Sequence, residues 1–175
     1  LVLYVKTPNG QKKKLHFTSD LGSEYNKQPF VPSKDIVTSS NFSLFEGTYN
    51  DLNRGFKSKK ECDKEREEFK KFIKDELANK RSILIGVFAQ ARQQTMMEFL
   101  YRNFKDDESF KYNIYIDGVL GLNLNNVYLS TLKDEEKEYW QEIMSWSHFQ
   151  YIGSYEKSME VACNKNETKI VLASS

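Results

Sequence analysis

The chain is poor in the residues on which several protein classes depend. Two cysteines, Cys62 and Cys163, cannot staple 175 residues, which excludes a disulfide scaffold and suits reduced thiols in an intracellular, cytoplasmic protein. Two histidines, His16 and His148, cannot by themselves build a zinc site made mainly of imidazole. His16 reads as a sheet-surface side chain and His148 as a packed or capping residue. No apolar run approaches the roughly 20 residues of a bilayer span; the longest, Ile83 to Ala89, is itself broken by Gly86, so no membrane partner is expected. An excess of one charge is missing too. The 26 basic and 25 acidic residues leave a formal charge of +1, and any grip on nucleic acid must come from a local patch. The short-spaced signatures of dinucleotide binding, P-loops, zincins, redox dithiols and nucleophile elbows do not occur, nor does any internal repeat or low-complexity tract.

What is there is a globular composition, 39% apolar and 29% charged, with aromatics at 14%. It predicts one domain or at most two small ones, able to bury roughly 70% of the unfolded surface. Both ends read as cut, because the chain opens directly on the strand-like Leu1–Val5 and closes on Ile170–Ala173 and two serines. The first twenty residues predict a hairpin about Asn9-Gly10. Residues 23–35 read as loop, and Ile36–Phe45 as a strand delivering Glu46 at its carboxyl end. From Lys57 to Lys80, Phe69, Phe72, Ile73 and Leu77 recur at helical spacing. The ten basic and seven acidic residues of 57–81 read as that helix's solvated face. Ser82–Phe88, apolar without alternation, predicts a strand covered on both faces. A helix through Met96–Phe104, a strand at Asn113–Ile116, helices at 121–130 and 133–146, a strand at Phe149–Ile152, a helix at Tyr155–Cys163 and a strand at Lys169–Ala173 follow. This alternation predicts right-handed crossovers and a mostly parallel, Rossmann-like sheet, an α/β fold. Ligands of such sheets sit beyond the carboxyl ends of the strands, which singles out Glu46, Ala89–Arg92, Asp117-Gly118 and Ser174-Ser175.

Five segments carry a resemblance. Phe17-Thr18-Ser19-Asp20-Leu21-Gly22 resembles a T-G-D-(I/L)-G strand end, and Phe45-Glu46-Gly47-Thr48-Tyr49-Asn50-Asp51 an E-S-T-Y-G-D segment. Ile85-Gly86-Val87-Phe88-Ala89-Gln90-Ala91-Arg92-Gln93-Gln94 is similar to I-P-V-F-A-L-G-R-A-Q-E. Ile114–Leu120 is similar to I-Y-I-D-S-P-L-A, and Val171–Ser175 to the start of V-(I/M)-A-S-(S/P)-G-M. Together, in this order, they resemble the β-CASP branch of the metallo-β-lactamase superfamily, metal-dependent hydrolases that cut RNA or act on DNA ends.

The resemblance implies that residues 1–50 are the last strands, including a hairpin, at the edge of a metallo-β-lactamase αββα domain, and that 51–175 are a β-CASP domain. It implies Asp20 as a carboxylate bridging two zinc ions, which would turn a shared water into hydroxide, and Glu46 as a catalytic residue acting by orienting a histidine. Arg92, Asp117, Ser174 and Ser175 become substrate contacts. Arg92 would meet a phosphate with help from helix amides. The H-x-H-x-D-H ligand motif is absent from these residues, so two metals are not expected on this chain alone. Ala91 stands where the branch has glycine, and Gly118-Val119 where it has Ser-Pro. The leading expectation is the substrate-clamping part of a metal-dependent nuclease for RNA or DNA. The alternative is a degenerate, non-catalytic module that binds nucleic acid or a partner subunit, or forms a homodimer. A Rossmann-like domain for a small ligand is the third.

Overall fold

A computed structural model describes residues 1–18, 39–45 and 58–174, which fall into two units, Leu1–Ser58 and Lys59–Ser175. The expected domain boundary at 50/51 lies outside the described residues, as do Asp20, Glu46 and Ser175.

The first unit carries three strands, β1 (Val2–Lys6), β2 (Lys12–Phe17) and β3 (Phe42–Leu44). β1 and β2 pair antiparallel, with Val2 opposite His16 and Lys6 opposite Lys12. Of the expected Asn-Gly pair only Gly10 takes positive φ. Its N–H donates to the Thr7 carbonyl (2.8 Å) and the Thr7 N–H to that of Gln11 (2.9 Å). The connection is therefore longer than a two-residue turn. β3 runs parallel to β2, Leu15 opposite Phe42. Asn41 extends this ladder, its side-chain oxygen accepting from Lys14 N–H at 2.8 Å. Of the strand expected over Ile36–Phe45, the described residues from Ser39 onward carry strand only at Phe42–Leu44, and 36–38 lie outside them.

The second unit is an α/β sandwich. Its elements are α1 (Lys59–Ala78), β4 (Ile83–Val87), α2 (Arg92–Phe104), β5 (Asn113–Asp117), α3 (Val119–Thr131), α4 (Asp134–Met144), β6 (Phe149–Ile152), α5 (Tyr155–Cys163) and β7 (Lys169–Ser174). Periodicity explains α1: Ile73 and Leu77 are buried, Phe69 stacks obliquely on Phe99 of α2 at 5.5 Å, and the charged positions face solvent. The sheet is all parallel in the order β4-β7-β5-β6. Going from β4 through α2 to β5, and from β5 through α3 and α4 to β6, the chain steps one way across the sheet. From β6 through α5 to β7 it steps back, and right-handed crossovers put α5 on the opposite face.

Side-chain burial follows this topology. The register aligns Ile83, Ile170, Ile114 and Phe149 in one row. These, with Ile116 and Leu172, pack in one core with α1 to α4. Ile152 and Val161 are buried outside that cluster, on the α5 side. An aromatic group of Phe104, Phe110, Trp146 and His148 closes the β6 end of the core. There His148 Nδ1 hydrogen-bonds the Tyr112 carbonyl at 2.9 Å, so it is a packed residue.

β4 departs from expectation. It is the sheet's edge, and Leu84, 73% exposed on the α5 face, is covered by none of the described residues. Its lack of alternation does not mark a strand covered on both faces. β7 enters between β4 and β5, and α5 does not reach the β4 side. Among the described residues no helix is long and apolar enough to cross a membrane.

Candidate functional site at the strand ends

β7 enters the sheet where the direction of winding reverses, and the crevice beyond its carboxyl end is where an open parallel sheet leaves room for a ligand. There the structure has a cleft of about 800 Å³ lined by Phe88, Arg92, Thr95, Met96, Ala173 and Ser174, with Ile85 to Val87 as its wall. Two of the expected contacts, Arg92 and Ser174, meet in it. Phe88, read from the sequence as the last residue of a strand covered on both faces, is instead 75% exposed one residue past the end of β4 and lines the cleft. Its position beyond the last ladder residue was the available signal.

The turn from β4 to α2 has an unusual backbone. Ala91 lies at φ 66°, ψ −48°, and Arg92 N–H donates to the Gln90 carbonyl at 2.8 Å. This is a γ-turn of the rarer, strained hand. Gln93 N–H donates to the Phe88 carbonyl (3.0 Å), while Thr95 donates to the Ala91 carbonyl through both N–H (2.9 Å) and Oγ1 (2.8 Å). The turn therefore consumes the N–H groups of Arg92 and Gln93. Of the helix amides expected to assist Arg92, these two are engaged within the turn, and at these positions the exposed guanidinium is left to meet an anion.

The β5–α3 junction is equally tight. Gly118 sits at φ 142°, and Ser174 Oγ donates to the Asp117 carbonyl at 3.2 Å. A Cβ at position 118 would overlap the Ser174 hydroxyl and lie 2.9 Å from the Ser174 carbonyl oxygen. The glycine is thus a steric requirement of this junction. The Asp117 carboxylate points to the α5 face, where its Oδ2 accepts from Ser158 Oγ at 2.6 Å. It secures α5 and is not among the residues lining the cleft.

Beneath the cleft α3 packs on the first turn of α2. Gln93 and Gln94 are completely buried. Gln94 Nε2 donates to Asn125 Oδ1 at 2.7 Å, whereas both polar atoms of the Gln93 amide lack a hydrogen-bond partner among the described residues. Gln93 lies so close to Gly121 that a Cβ there would overlap its Oε1 and lie 2.6 Å from Cδ. Tyr128 of α3 is buried nearby, and burial raises the pKa of its hydroxyl.

Among the described residues no group of three or more His, Cys, Asp and Glu side chains could hold a metal ion. Both cysteines are free thiols. Fold and cleft together define a parallel α/β domain with a strand-end site. Set against known proteins, the chain is matched by no protein-family model and by no curated protein at a significant level.

Proposed function

We propose that the second unit grips a phosphodiester chain, RNA or DNA, at its strand ends. In this reading it is the β-CASP part of a metal-dependent, nuclease-like hydrolase: it clamps substrate and does not cleave it unaided. The observation that carries the reading is the pairing of an exposed guanidinium, Arg92, with an exposed aromatic ring, Phe88, in one cleft at the winding reversal. A guanidinium takes a phosphate through two parallel hydrogen bonds, and a solvent-facing ring offers a platform for a base. Ser174 supplies a hydroxyl at the cleft wall. Asp20, as one carboxylate ligand, and Glu46, as an orienting group, would be this chain's contribution to a two-zinc centre whose other ligands it does not carry.

The test is fluorescence anisotropy with a short fluorescein-labelled oligonucleotide. Arg92→Ala should weaken binding about tenfold and lower the salt slope by about one, and Phe88→Ala should cost a similar factor through lost stacking. Equal affinities for wild type and Arg92→Ala would refute the reading.

A second reading, a degenerate module holding a partner protein, is favoured by one observation, Leu84 of β4, 73% exposed on the α5 face and covered by none of the described residues. It predicts that Leu84→Lys abolishes partner capture while Arg92→Ala does not.

A further inference from the structure

We propose that the strand-end cleft selects ribose over deoxyribose, with Thr95 and Ser174 as the specificity-determining residues; the proposal rests on the reading of Arg92 as the phosphate contact and narrows the substrate class to RNA. Of the described residues that line the cleft, three carry polar side chains, Arg92, Thr95 and Ser174. A guanidinium only donates. A hydroxyl has one proton to give and two lone pairs that accept, and in both hydroxyls here the proton is already committed. Thr95 Oγ1 donates to the Ala91 carbonyl at 2.8 Å, and Ser174 Oγ to the Asp117 carbonyl at 3.2 Å. What each has left is a lone-pair oxygen, able to accept and unable to donate.

These side chains therefore offer one charged donor and two neutral acceptors. A phosphate oxygen only accepts, so it belongs with Arg92 and gains nothing from either hydroxyl. The backbone N–H groups of Arg92 and Gln93 do not alter this balance, since the Gln90 and Phe88 carbonyls engage them. Thr95 stands three residues after Arg92 in α2, which makes the two neighbours on one helix face, with about 5–6 Å between Cβ atoms. In a nucleic acid the donor nearest a backbone phosphate is the 2′-hydroxyl, on the carbon next to the one that bears the 3′-phosphate. Only RNA carries it. The donors of the base lie farther from the phosphate, on the ring that would stack on Phe88.

The test uses the full 175-residue chain and three fluorescein-labelled oligomers of equal length and one base: oligouridylate, oligodeoxyuridylate and 2′-O-methyl oligouridylate. By anisotropy at one salt concentration, oligouridylate should bind about tenfold tighter than its deoxy counterpart, the worth of one or two neutral hydrogen bonds. The 2′-O-methyl form keeps the 2′ oxygen but not its proton, and should bind no better than the deoxy form. Thr95→Val keeps the outline of the side chain without the hydroxyl. Combined with Ser174→Ala it should bring the ribo and deoxy affinities within about twofold of each other, whereas Thr95→Ser should keep the preference. The ratio is the readout, because a variant that merely loosens the cleft weakens both oligomers together. Equal binding of the ribo and deoxy forms by the wild type, a comparison that needs no variant to fold, overturns the proposal. So does 2′-O-methyl binding equal to that of unmodified RNA, or a preference that survives in the combined variant. Arg92→Ala binding as wild type refutes the phosphate reading alone, and the ribo-to-deoxy ratio still decides the sugar contact.

Discussion

Gly118→Ala is the substitution for which the structure gives the fullest account. At φ 142° an L side chain is strained whatever the space around it, a penalty of about 1–3 kcal/mol. The new Cβ would also meet Ser174, overlapping its hydroxyl, 2.9 Å from its carbonyl oxygen and 3.3 Å from its Cβ; overpacking of this kind costs about 1–3 kcal/mol. The sum, about 2–6 kcal/mol, is a large fraction of a domain stability of about 5–15 kcal/mol. Both tryptophans, Trp140 and Trp146, lie in the second unit, so denaturant unfolding followed by tryptophan fluorescence reports that unit and reads the loss as a lower midpoint. Adding Ser174→Gly removes the hydroxyl and the Cβ but neither the carbonyl oxygen nor the strain. It should therefore return about 1 kcal/mol and no more. A change below about 0.5 kcal/mol for Gly118→Ala, the ordinary scatter of neutral sites, or complete recovery in the double variant, would refute the reasoning.

Three further predictions are independent of that junction. Asp107 is held at a pKa of about 2 by the Lys74 ammonium 2.5 Å away and by the Ser109 hydroxyl. Its folded value is lowered, so the stabilisation is present above the unfolded carboxylate range and lost as pH falls through about 2. Lys74→Met should cost about 0.5–1 kcal/mol at neutral pH, the lysine being half exposed. The cost should vanish in urea titrations carried to acid, and a cost independent of pH would contradict the ion pair. Gln93→Met replaces a buried amide that has no hydrogen-bond partner with an apolar chain of similar shape, and should leave thermal stability unchanged or raise it by up to about 1 kcal/mol; a clear drop in Tm would show that the amide is satisfied. Leu84→Thr, on the uncovered face of β4, should alter stability by less than about 0.5 kcal/mol, whereas a covered strand would lose several times that on chemical denaturation.

The elements of the second unit were legible because burial writes itself into periodicity. Phe69, Ile73 and Leu77 announce α1, and the short apolar runs at Asn113–Ile116 and Lys169–Ala173 announce strands with one end each at the site. Strand order was not legible. That β7 enters between β4 and β5 depends on the path of the β6–α5–β7 connection, and no local pattern records it, so β4 read as covered on both faces when it is an edge strand with Leu84 exposed. Polarity misled at α2: Gln93 and Gln94 look like surface residues of a helix, yet packing against Gly121 and Asn125 of α3 buries them. Arg92 and Ser174 were found from their place at strand ends. The direction of the Asp117 carboxylate was not, because residue type and position do not say which face of the sheet a side chain takes; the register to Ala173 and Ile152 does.

The central claim, that the strand-end cleft is where this domain holds a phosphodiester chain, is tested most directly by amide chemical-shift mapping during titration with a single-stranded oligonucleotide. The account predicts shifts concentrated at residues 88–95, 118–120 and 173–174, fading as salt is raised and lost in Arg92→Ala. Shifts confined to the amino-terminal ends of the strands, around Ser82, Asn113 and Glu167, or none at saturating oligonucleotide, would contradict it.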